Sequence, residues 1–288
     1  MTVRPTARPT LAIAGTSIAA LVLAACGGSS DADTAADASD SSGTLSHVHG
    51  LGIDPADGSV YVATHNGLYT VAKGQKPKLI GDRKDDFMGF TVTDESTFAA
   101  SGHGAPGSGR PGNLGLIETT DAGRTWTSRS LSGKGDFHSL DSASGTVYGY
   151  EGGRIRVSSD LESWDDRATL EALDLAVNPS GGKLLATTAE GVVTSTDGGR
   201  TFSKGAKQMQ AFVSWPAEKS LFGLSTSGKL SSSADGGKSW KELTAVPGGQ
   251  PQALTAVNAD HILAATMAGV YESRDGGKTF SELAPLAS

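Results

Sequence analysis

From about residue 45 to the end of the chain, short runs of apolar and β-branched residues alternate with turns rich in Gly, Asp, Asn and Pro. The segment around residue 185 is typical, with runs at Leu173–Val177, Lys183–Thr187 and Gly191–Thr194. Turns recur every 5 to 12 residues, and no run shows a helical period. This pattern predicts antiparallel meanders of short strands and therefore an all-β fold.

One octapeptide, Ser/Thr-x-Asp-x-Gly-x-Thr/Ser-aromatic, occurs four times, and a fifth, degenerate copy lacks the Gly. The aspartates of the five copies are Asp121, Asp160, Asp197, Asp235 and Asp275, which gives steps of 39, 37, 38 and 40 residues. Steps of this length are typical of propeller blades, each a four-stranded meander. The Asp can accept backbone N–H groups in a tight turn, and the Gly allows a positive φ. The last residue of each copy is an aromatic that we expect to be buried between neighbouring blades: Trp126, Trp164, Phe202, Trp240 or Phe280.

These octapeptides resemble the Asp box, or BNR repeat, of sialidases and sortilin-type β-propellers. Counting the meanders gives a six-bladed propeller over residues 45–288, whose first blade runs from His47 to about Ile80 without an octapeptide. The residues before His47 are too polar to supply an obvious strand, so the pattern leaves the closure of the ring open. The first blades, with Asp-Phe-Met-Gly-Phe from residue 86 and Asn-Leu-Gly-Leu from residue 113, look like a subgroup of bacterial propeller lipoproteins that carry the name glycosyl hydrolase.

The first 44 residues have a different composition. Arg4 and Arg8 precede an apolar stretch, Leu11–Leu23, that is too short to span a membrane and has the flanks of a secretory signal. It ends in Leu-Ala-Ala-Cys, which resembles the bacterial lipobox, and Cys26 is the only cysteine of the chain. The resemblance implies that residues 1–25 are a signal peptide and that Cys26 is lipidated; an ordinary signal with a chance Cys is the alternative. Residues 26–44 have the composition of a flexible tether, so we expect a lipid-anchored protein on the extracytoplasmic side of the cell membrane.

The charge of the chain argues against a nucleic-acid partner. Its formal net charge is −7, it has no basic stripe, and several of its Arg and Lys residues occupy variable positions inside the octapeptides. The partners that we expect are the membrane, through the lipid anchor, and a protein or glycan ligand on the propeller. We also expect the protein to be monomeric.

Five of the six histidines fall in the first two blades and at the beginning of the third: His47, His49, His65, His103 and His138. Aligning the meanders places three segments at the beginning of an innermost strand: His47-Val48-His49, Asp86-Phe87-Met88 and Asp136-Phe137-His138. The turn between the second and third strands contains or adjoins His65, His103 and Glu151. Both locations lie at the same end of the strands in a meander. We therefore predict one functional face around the mouth of the central channel, here called the mouth face, with the octapeptides on the opposite face.

The residue types on the mouth face indicate a metal site. The expected ligands are His49, His138 and one or both of His65 and His103, with His47 or Met88 in addition. His47 and His49 are two residues apart on a strand, so their side chains should lie on one side about 6 to 7 Å apart, a spacing at which two imidazoles can bind one ion. Imidazole suits copper, zinc or nickel, the thioether of Met88 would favour copper, and affinity should fall below about pH 6.5. The alternative for each histidine is an ordinary loop residue bonded to a backbone carbonyl.

A binding or sensing lipoprotein is the favoured function, and two others remain open. Asp-box proteins include glycoside hydrolases, and the mouth face offers three carboxylates for such chemistry: Asp86, Asp136 and Glu151. A sialidase is not expected, because the chain lacks the Arg-Ile-Pro segment, the clustered arginines and the Tyr/Glu pair that the resemblance would require. A scaffold for envelope proteins, a role that related propellers have, is the third possibility. The long Gly-rich segment Gly102–Gly115, which carries His103 and Arg110, is expected to reach the same mouth.

Overall fold

A computed structural model of the protein describes residues 45–286. Within these residues the chain forms six antiparallel sheets, each made of four strands that are consecutive in the sequence. The predicted all-β, six-bladed propeller is confirmed. The predicted signal peptide, the lipidation site at Cys26 and the tether lie outside the described residues. No helix in the part of the chain that the structure describes is long and apolar enough to cross a membrane.

The six sheets are the blades, numbered here in chain order. Blade 1 contains β1 (Val48–Ile53), β2 (Val60–Thr64), β3 (Gly67–Val71) and β4 (Lys78–Leu79). Blade 2 contains β5 (Asp86–Asp94), β6 (Thr97–His103), β7 (Leu116–Thr119) and β8 (Thr127–Ser130). Blade 3 contains β9 (Ser139–Ala143), β10 (Thr146–Glu151), β11 (Arg154–Ser158) and β12 (Asp165–Thr169). Blade 4 contains β13 (Asp174–Val177), β14 (Leu184–Thr188), β15 (Gly191–Ser195) and β16 (Ser203–Lys204). Blade 5 contains β17 (Phe212–Ala217), β18 (Ser220–Leu224), β19 (Lys229–Ser233) and β20 (Lys241–Ala245). Blade 6 contains β21 (Pro251–Ala256), β22 (Ile262–Thr266), β23 (Gly269–Ser273) and β24 (Ser281–Pro285).

The innermost strands, β1, β5, β9, β13, β17 and β21, surround a central channel of about 420 Å³. Side chains on these strands bond backbone groups at the inner edge of the next blade. Val177 N donates to Asp141 Oδ2 at 2.7 Å, and Val213 N donates to Asp174 Oδ2 at 2.9 Å. Burial raises the pKa of Asp141 to about 7 and that of Asp174 to about 6. Because a strand edge without a neighbouring strand leaves backbone donors unpaired, these side-chain bonds stabilise the inner wall of the ring.

The ring closes between blades 6 and 1, a step that the sequence pattern left open. Thr255 Oγ1 donates to Leu51 O at 2.8 Å, and Val48 N donates to Gln252 Oε1 at the same distance. Leu45, which is fully buried, forms a parallel bridge with Leu286, just beyond the end of β24. Closure therefore depends on side-chain bonds, one bridge and apolar packing, while blade 6 takes all four of its strands from one continuous segment.

Apolar clusters fill the six seams between neighbouring blades. The aromatic side chains of the five octapeptides pack against five of these clusters, as predicted, but they are half-buried rather than buried. The difference follows from their position in a surface turn, where one edge of the ring stays in contact with solvent. The indole N–H of Trp126 is hydrogen-bonded within that turn, because it donates to Gly123 O at 3.1 Å.

The octapeptide turns contain the predicted hydrogen bonds to Asp. Asp275 Oδ1 accepts Lys278 N and Thr279 N, both at 3.0 Å, and Asp275 Oδ2 accepts Thr279 Oγ1 at 2.7 Å. The bonds from Thr279 hold the pKa of Asp275 well below its ordinary value. The degenerate copy retains the same chemistry, with Ser163 Oγ donating to Asp160 Oδ2 at 2.6 Å. These turns connect the third and fourth strands of blades 2 to 6 at the end of the strands opposite the mouth face.

Candidate metal centre at the channel mouth

Irregular pairing in two innermost strands points side chains into the channel mouth. The register of β1 against β2 shifts at His49, and that of β5 against β6 shifts at Met88. A β-bulge of this kind re-aims the extra residue, and both side chains line the channel. Each is followed by a glycine, and at Gly50 a Cβ atom would lie only 2.8 Å from Phe90 Cβ of the next blade. The glycine after each bulged residue allows the next blade to pack closely, and the strand pattern alone did not indicate the bulges.

Three donor atoms from blades 1 and 2 converge at the mouth. His49 Nε2 lies 3.2 Å from His65 Nδ1 and 3.5 Å from Asp86 Oδ1, and His65 Nδ1 lies 2.9 Å from the same oxygen. Two ligands of a tetrahedral zinc ion, each about 2.0 to 2.2 Å from it, are about 3.3 to 3.6 Å apart. The three side chains, here called the mouth centre, are therefore close to the spacing of ligands around one ion.

A second group of the same residue types lies beside the mouth centre. Asp136 Oδ2 lies 2.8 Å from His138 Nε2 and 3.2 Å from His103 Nε2. The other ring nitrogen of His103, Nδ1, lies 3.7 Å from Asp86 Oδ2. His103 therefore stands between two carboxylates and links the mouth centre to these residues, which we call the Asp136 group.

Each of the two carboxylates has one buried oxygen without a hydrogen bond. Asp86 Oδ1 and Asp136 Oδ1 are both inaccessible to solvent, and neither accepts a hydrogen bond from the protein. Although His65 Nδ1 lies 2.9 Å from Asp86 Oδ1, the direction of the ring is wrong for a hydrogen bond between them. A buried carboxylate oxygen without a donor is costly, and a bound cation would remove that cost.

The environment of each imidazole sets its charge. Burial, together with the neighbouring His65, lowers the pKa of His49 from 6.5 to about 4, and the same two causes lower the pKa of His47. The pKa of His138 is raised, chiefly by its hydrogen bond to Asp136. Burial opposes ionisation of Asp136, but hydrogen bonds with His138 and His103 lower its pKa overall. His49 is therefore a neutral imidazole over most of the acidic range, which is the form that binds a metal, so it does not set the loss of affinity expected below about pH 6.5.

These shifts predict two distinct histidine titrations in the metal-free protein. The imidazole C–H resonances of His49 should shift with a midpoint near pH 4, because its folded form disfavours the proton, whereas those of His138 should shift above pH 6.5. Two-dimensional NMR spectra recorded across the acidic and neutral range measure both midpoints. In Asp136→Asn the midpoint of His138 should fall while that of His49 stays in place. A common midpoint near 6.5 for both rings would contradict the arrangement described here.

The Gly-rich segment Gly102–Gly115 is held against the mouth by a buried carboxylate. Asp85 is fully buried, and its Oδ1 accepts Arg110 Nε and Ala105 N, both at 2.8 Å. Its Oδ2 accepts Arg83 Nε. The segment is thus fixed at the position from which His103 reaches the two site carboxylates. In the sequence, the only signals for this anchoring role of Asp85 are the nearby Arg83 and the presence of Arg110 in the Gly-rich segment.

The structure divides the predicted ligand set. His49 and His65 lie against Asp86, whereas His138 and His103 lie against Asp136 and are not part of the group around His49. His47 is exposed, and its ring meets that of His49 edge to face with the centroids 4.9 Å apart, closer than the expected 6 to 7 Å because β1 bulges at His49. Met88 lines the channel. Of the three carboxylates that were candidates for catalysis, Asp86 and Asp136 contact imidazoles, and Glu151 Oε2 lies 3.3 Å from Arg156 Nε.

No protein-family model matches the sequence of the chain, and no curated protein matches it. Many solved structures share its fold. YCF48 from Cyanidioschyzon merolae is 16% identical, with a TM-score of 0.51 over 83% of this chain and 85% of that one. A structure of YCF48 bound to a D1 peptide gives 19% identity and a TM-score of 0.52 over 83% and 82% of the two chains. The GH74 xyloglucanase from Xanthomonas campestris is 16% identical, with a TM-score of 0.54 over 85% of this chain but only 46% of that protein. At these identities the likeness establishes the β-propeller fold alone.

Proposed function

We propose that this protein is a lipid-anchored, extracytoplasmic binding module that holds a transition-metal ion at the mouth of its propeller. The observation that carries the proposal is the convergence of His49 Nε2, His65 Nδ1 and Asp86 Oδ1, which all lie within 4.8 Å of one another. The buried, unbonded oxygen of Asp86 supports it, because the carboxylate already points at the place where a cation would be.

The donor set limits which ion fits. Two imidazole nitrogens and one carboxylate oxygen suit zinc or copper(II) and are less suited to calcium or magnesium, which prefer oxygen ligands alone. Three protein ligands leave a fourth position of the ion for an external ligand. Met88 lines the same channel, and its thioether would favour copper if it takes that position.

The anchor follows from the N-terminal sequence. We propose that Cys26 is acylated and that residues 26–44 tether the propeller to the outer surface of the cell membrane, in keeping with the lipobox resemblance of Leu-Ala-Ala-Cys and with the propeller lipoproteins that the first blades resemble. An intact mass of the mature protein that begins at Cys26 and includes acyl chains is the expected result. A mature N-terminus elsewhere without acyl mass would contradict the anchor.

A hydrolase is the second candidate, and one feature favours it. Asp86 and Asp136 face opposite nitrogens of His103, at 3.7 and 3.2 Å, so two carboxylates lie on one accessible surface as in glycoside hydrolases. The lowered pKa of Asp136 suits a base and not the general acid that such a reaction also requires. Release of a fluorogenic aglycone that disappears in both Asp86→Asn and Asp136→Asn, with or without metal, would favour the hydrolase over the metal-binding module.

A protein ligand on the mouth face is favoured by exposed apolar side chains on the other half of the ring. Leu173, Met209 and Met267 are 55%, 41% and 56% exposed, and they lie near the mouth-side ends of strands in blades 4, 5 and 6. Burying such side chains against a partner is favourable. One propeller of similar fold, YCF48, has been solved with a bound peptide. An envelope protein docked over the metal centre is therefore compatible with the scaffold function.

Calorimetric titration of the purified, chelator-treated protein with zinc and copper(II) tests the metal-binding proposal. We expect saturable binding at micromolar or lower metal, reversed by EDTA. The matched control is His261→Ala, because His261 is the one histidine remote from the mouth face and pairs with Glu272 at 2.8 Å. That variant should bind as the unchanged protein does. Absence of saturable binding to either metal would overturn the proposal.

A further inference from the structure

The Asp136 group repeats the chemistry of the mouth centre a short distance away. It offers a carboxylate and two imidazole nitrogens, and the Asp136 Oδ2 distances of 2.8 and 3.2 Å to His138 and His103 are close to those between adjacent ligands of one ion. Asp136 Oδ1 is buried and has no hydrogen-bond donor, as Asp86 Oδ1 is in the mouth centre. The two groups share their residue types. They differ in that the imidazole nitrogens of His103 and His138 lie more than 4.8 Å apart, and in that the Asp136 oxygen facing them, Oδ2, is not the unbonded one.

His103 lies between the two groups, with its second ring nitrogen facing a carboxylate just beyond hydrogen-bond distance. Its Nδ1 faces Asp86 Oδ2 at 3.7 Å, while its Nε2 faces Asp136 Oδ2 at 3.2 Å. In metal sites a histidine ligand commonly directs its other ring nitrogen to a carboxylate, which fixes the tautomer and strengthens the ligand. Asp86 would serve the mouth centre through Oδ1 and orient His103 through Oδ2.

The exposure of the side chains allows the second group to close on an ion. The side chains of His138 and His103 are 52% and 41% exposed, so each ring can rotate without displacing core residues. Asp136, whose side chain is only 20% exposed, is the fixed member. It precedes the fully buried Phe137, whose backbone N donates to Ser101 Oγ at 2.9 Å.

We propose that the mouth face holds two metal ions, one at His49, His65 and Asp86 and a second at His103, Asp136 and His138, joined through the carboxylate of Asp86 and the ring of His103. This inference rests on the proposed function, because the second ion is assigned by the same chemistry as the first. The second group should bind a divalent ion that accepts nitrogen and oxygen ligands, and zinc and copper(II) are the ions used to test it.

The stoichiometry of zinc binding tests the proposal. The purified protein, saturated with zinc and freed of excess metal, should contain two ions per chain by elemental analysis and show two binding events by calorimetry. His138→Ala and His65→Ala should each lose one equivalent, and His261→Ala should keep both. Circular dichroism and thermal unfolding of each variant establish that it is folded, and His138→Gln serves as a replacement of closer size if His138→Ala fails to fold.

The outcomes distinguish the second metal site from the single metal site of the proposed function. Two ions in the unchanged protein, with one lost in each single variant, support the two-ion centre. One ion in the unchanged protein, retained in His138→Ala and lost in His65→Ala, overturns the second site and leaves the proposed function intact. No bound ion overturns both. Two copper(II) ions bound in this arrangement should also broaden each other's electron paramagnetic resonance signal, and an unperturbed single-ion spectrum at full loading would contradict two ions in adjacent groups.

Discussion

Replacing Phe137 with Ala is expected to lower the free energy of unfolding by about 3 to 5 kcal/mol, the usual cost of removing a fully buried Phe. Phe137 is fully buried in the seam between blades 2 and 3, and its ring centroid lies 4.4 Å from that of Trp164. It also fills the space beside Gly149, where a Cβ atom would lie 2.5 Å from its ring. Truncation would leave a cavity between two blades that cannot collapse, because the closed ring fixes their separation.

Chemical denaturation of matched variants measures this effect. Trp164→Ala, in the same seam but half-buried, should cost less than Phe137→Ala. Leu173→Ala, at a side chain that is 55% exposed, should be within about 0.5 kcal/mol of the unchanged protein. A loss for Phe137→Ala no larger than that for Leu173→Ala would show that this seam does not stabilise the ring as described.

The fold was predictable because its signals are local. Each octapeptide specifies one turn through hydrogen bonds that span at most four residues, as at Asp275 and Thr279. The turn can therefore be predicted from a single copy, and the spacing of the copies gives the number of blades. Closure was not predictable, because the bonds that close the ring join residues 204 positions apart through side chains such as Gln252 and Thr255. No repeat marks those residues.

For the site, the sequence predicted only its location on the mouth face and not which side chains meet there. Topology alone brought the five histidines to one end of the strands, since the beginnings of innermost strands and the second turns lie together in every meander. Which histidine meets which carboxylate depends on a bulge at His49 and on the anchoring of Gly102–Gly115 by Asp85. Both are tertiary features. Asp86 and Asp136, considered from the sequence as catalytic carboxylates, are the residues around which the imidazoles gather.

Metal binding at the mouth centre should depend on the negative charge of Asp86. Substitution by Asn removes that charge and keeps the shape of the side chain. In Asp86→Asn we expect the affinity for zinc and copper(II) to fall by more than about 100-fold, because loss of residues that only orient a ligand already costs about 10- to 100-fold. The same substitution should leave the metal-free protein at least as stable as before. It removes a buried carboxylate oxygen that no hydrogen bond compensates.

Asp85→Asn is the matched control, one position away and opposite in its expected effect. Asp85 is fully buried between Arg83 and Arg110, and removal of one partner from a buried ion pair costs about 3 to 5 kcal/mol. Thermal unfolding and metal titration of the two variants should therefore separate stability from binding: Asp86→Asn loses the metal and keeps its stability, while Asp85→Asn loses stability. Retention of metal affinity in Asp86→Asn would show that Asp86 is not a ligand of the mouth centre. A large loss of stability in the metal-free Asp86→Asn protein would show that the carboxylate stabilises the fold even when no cation is bound.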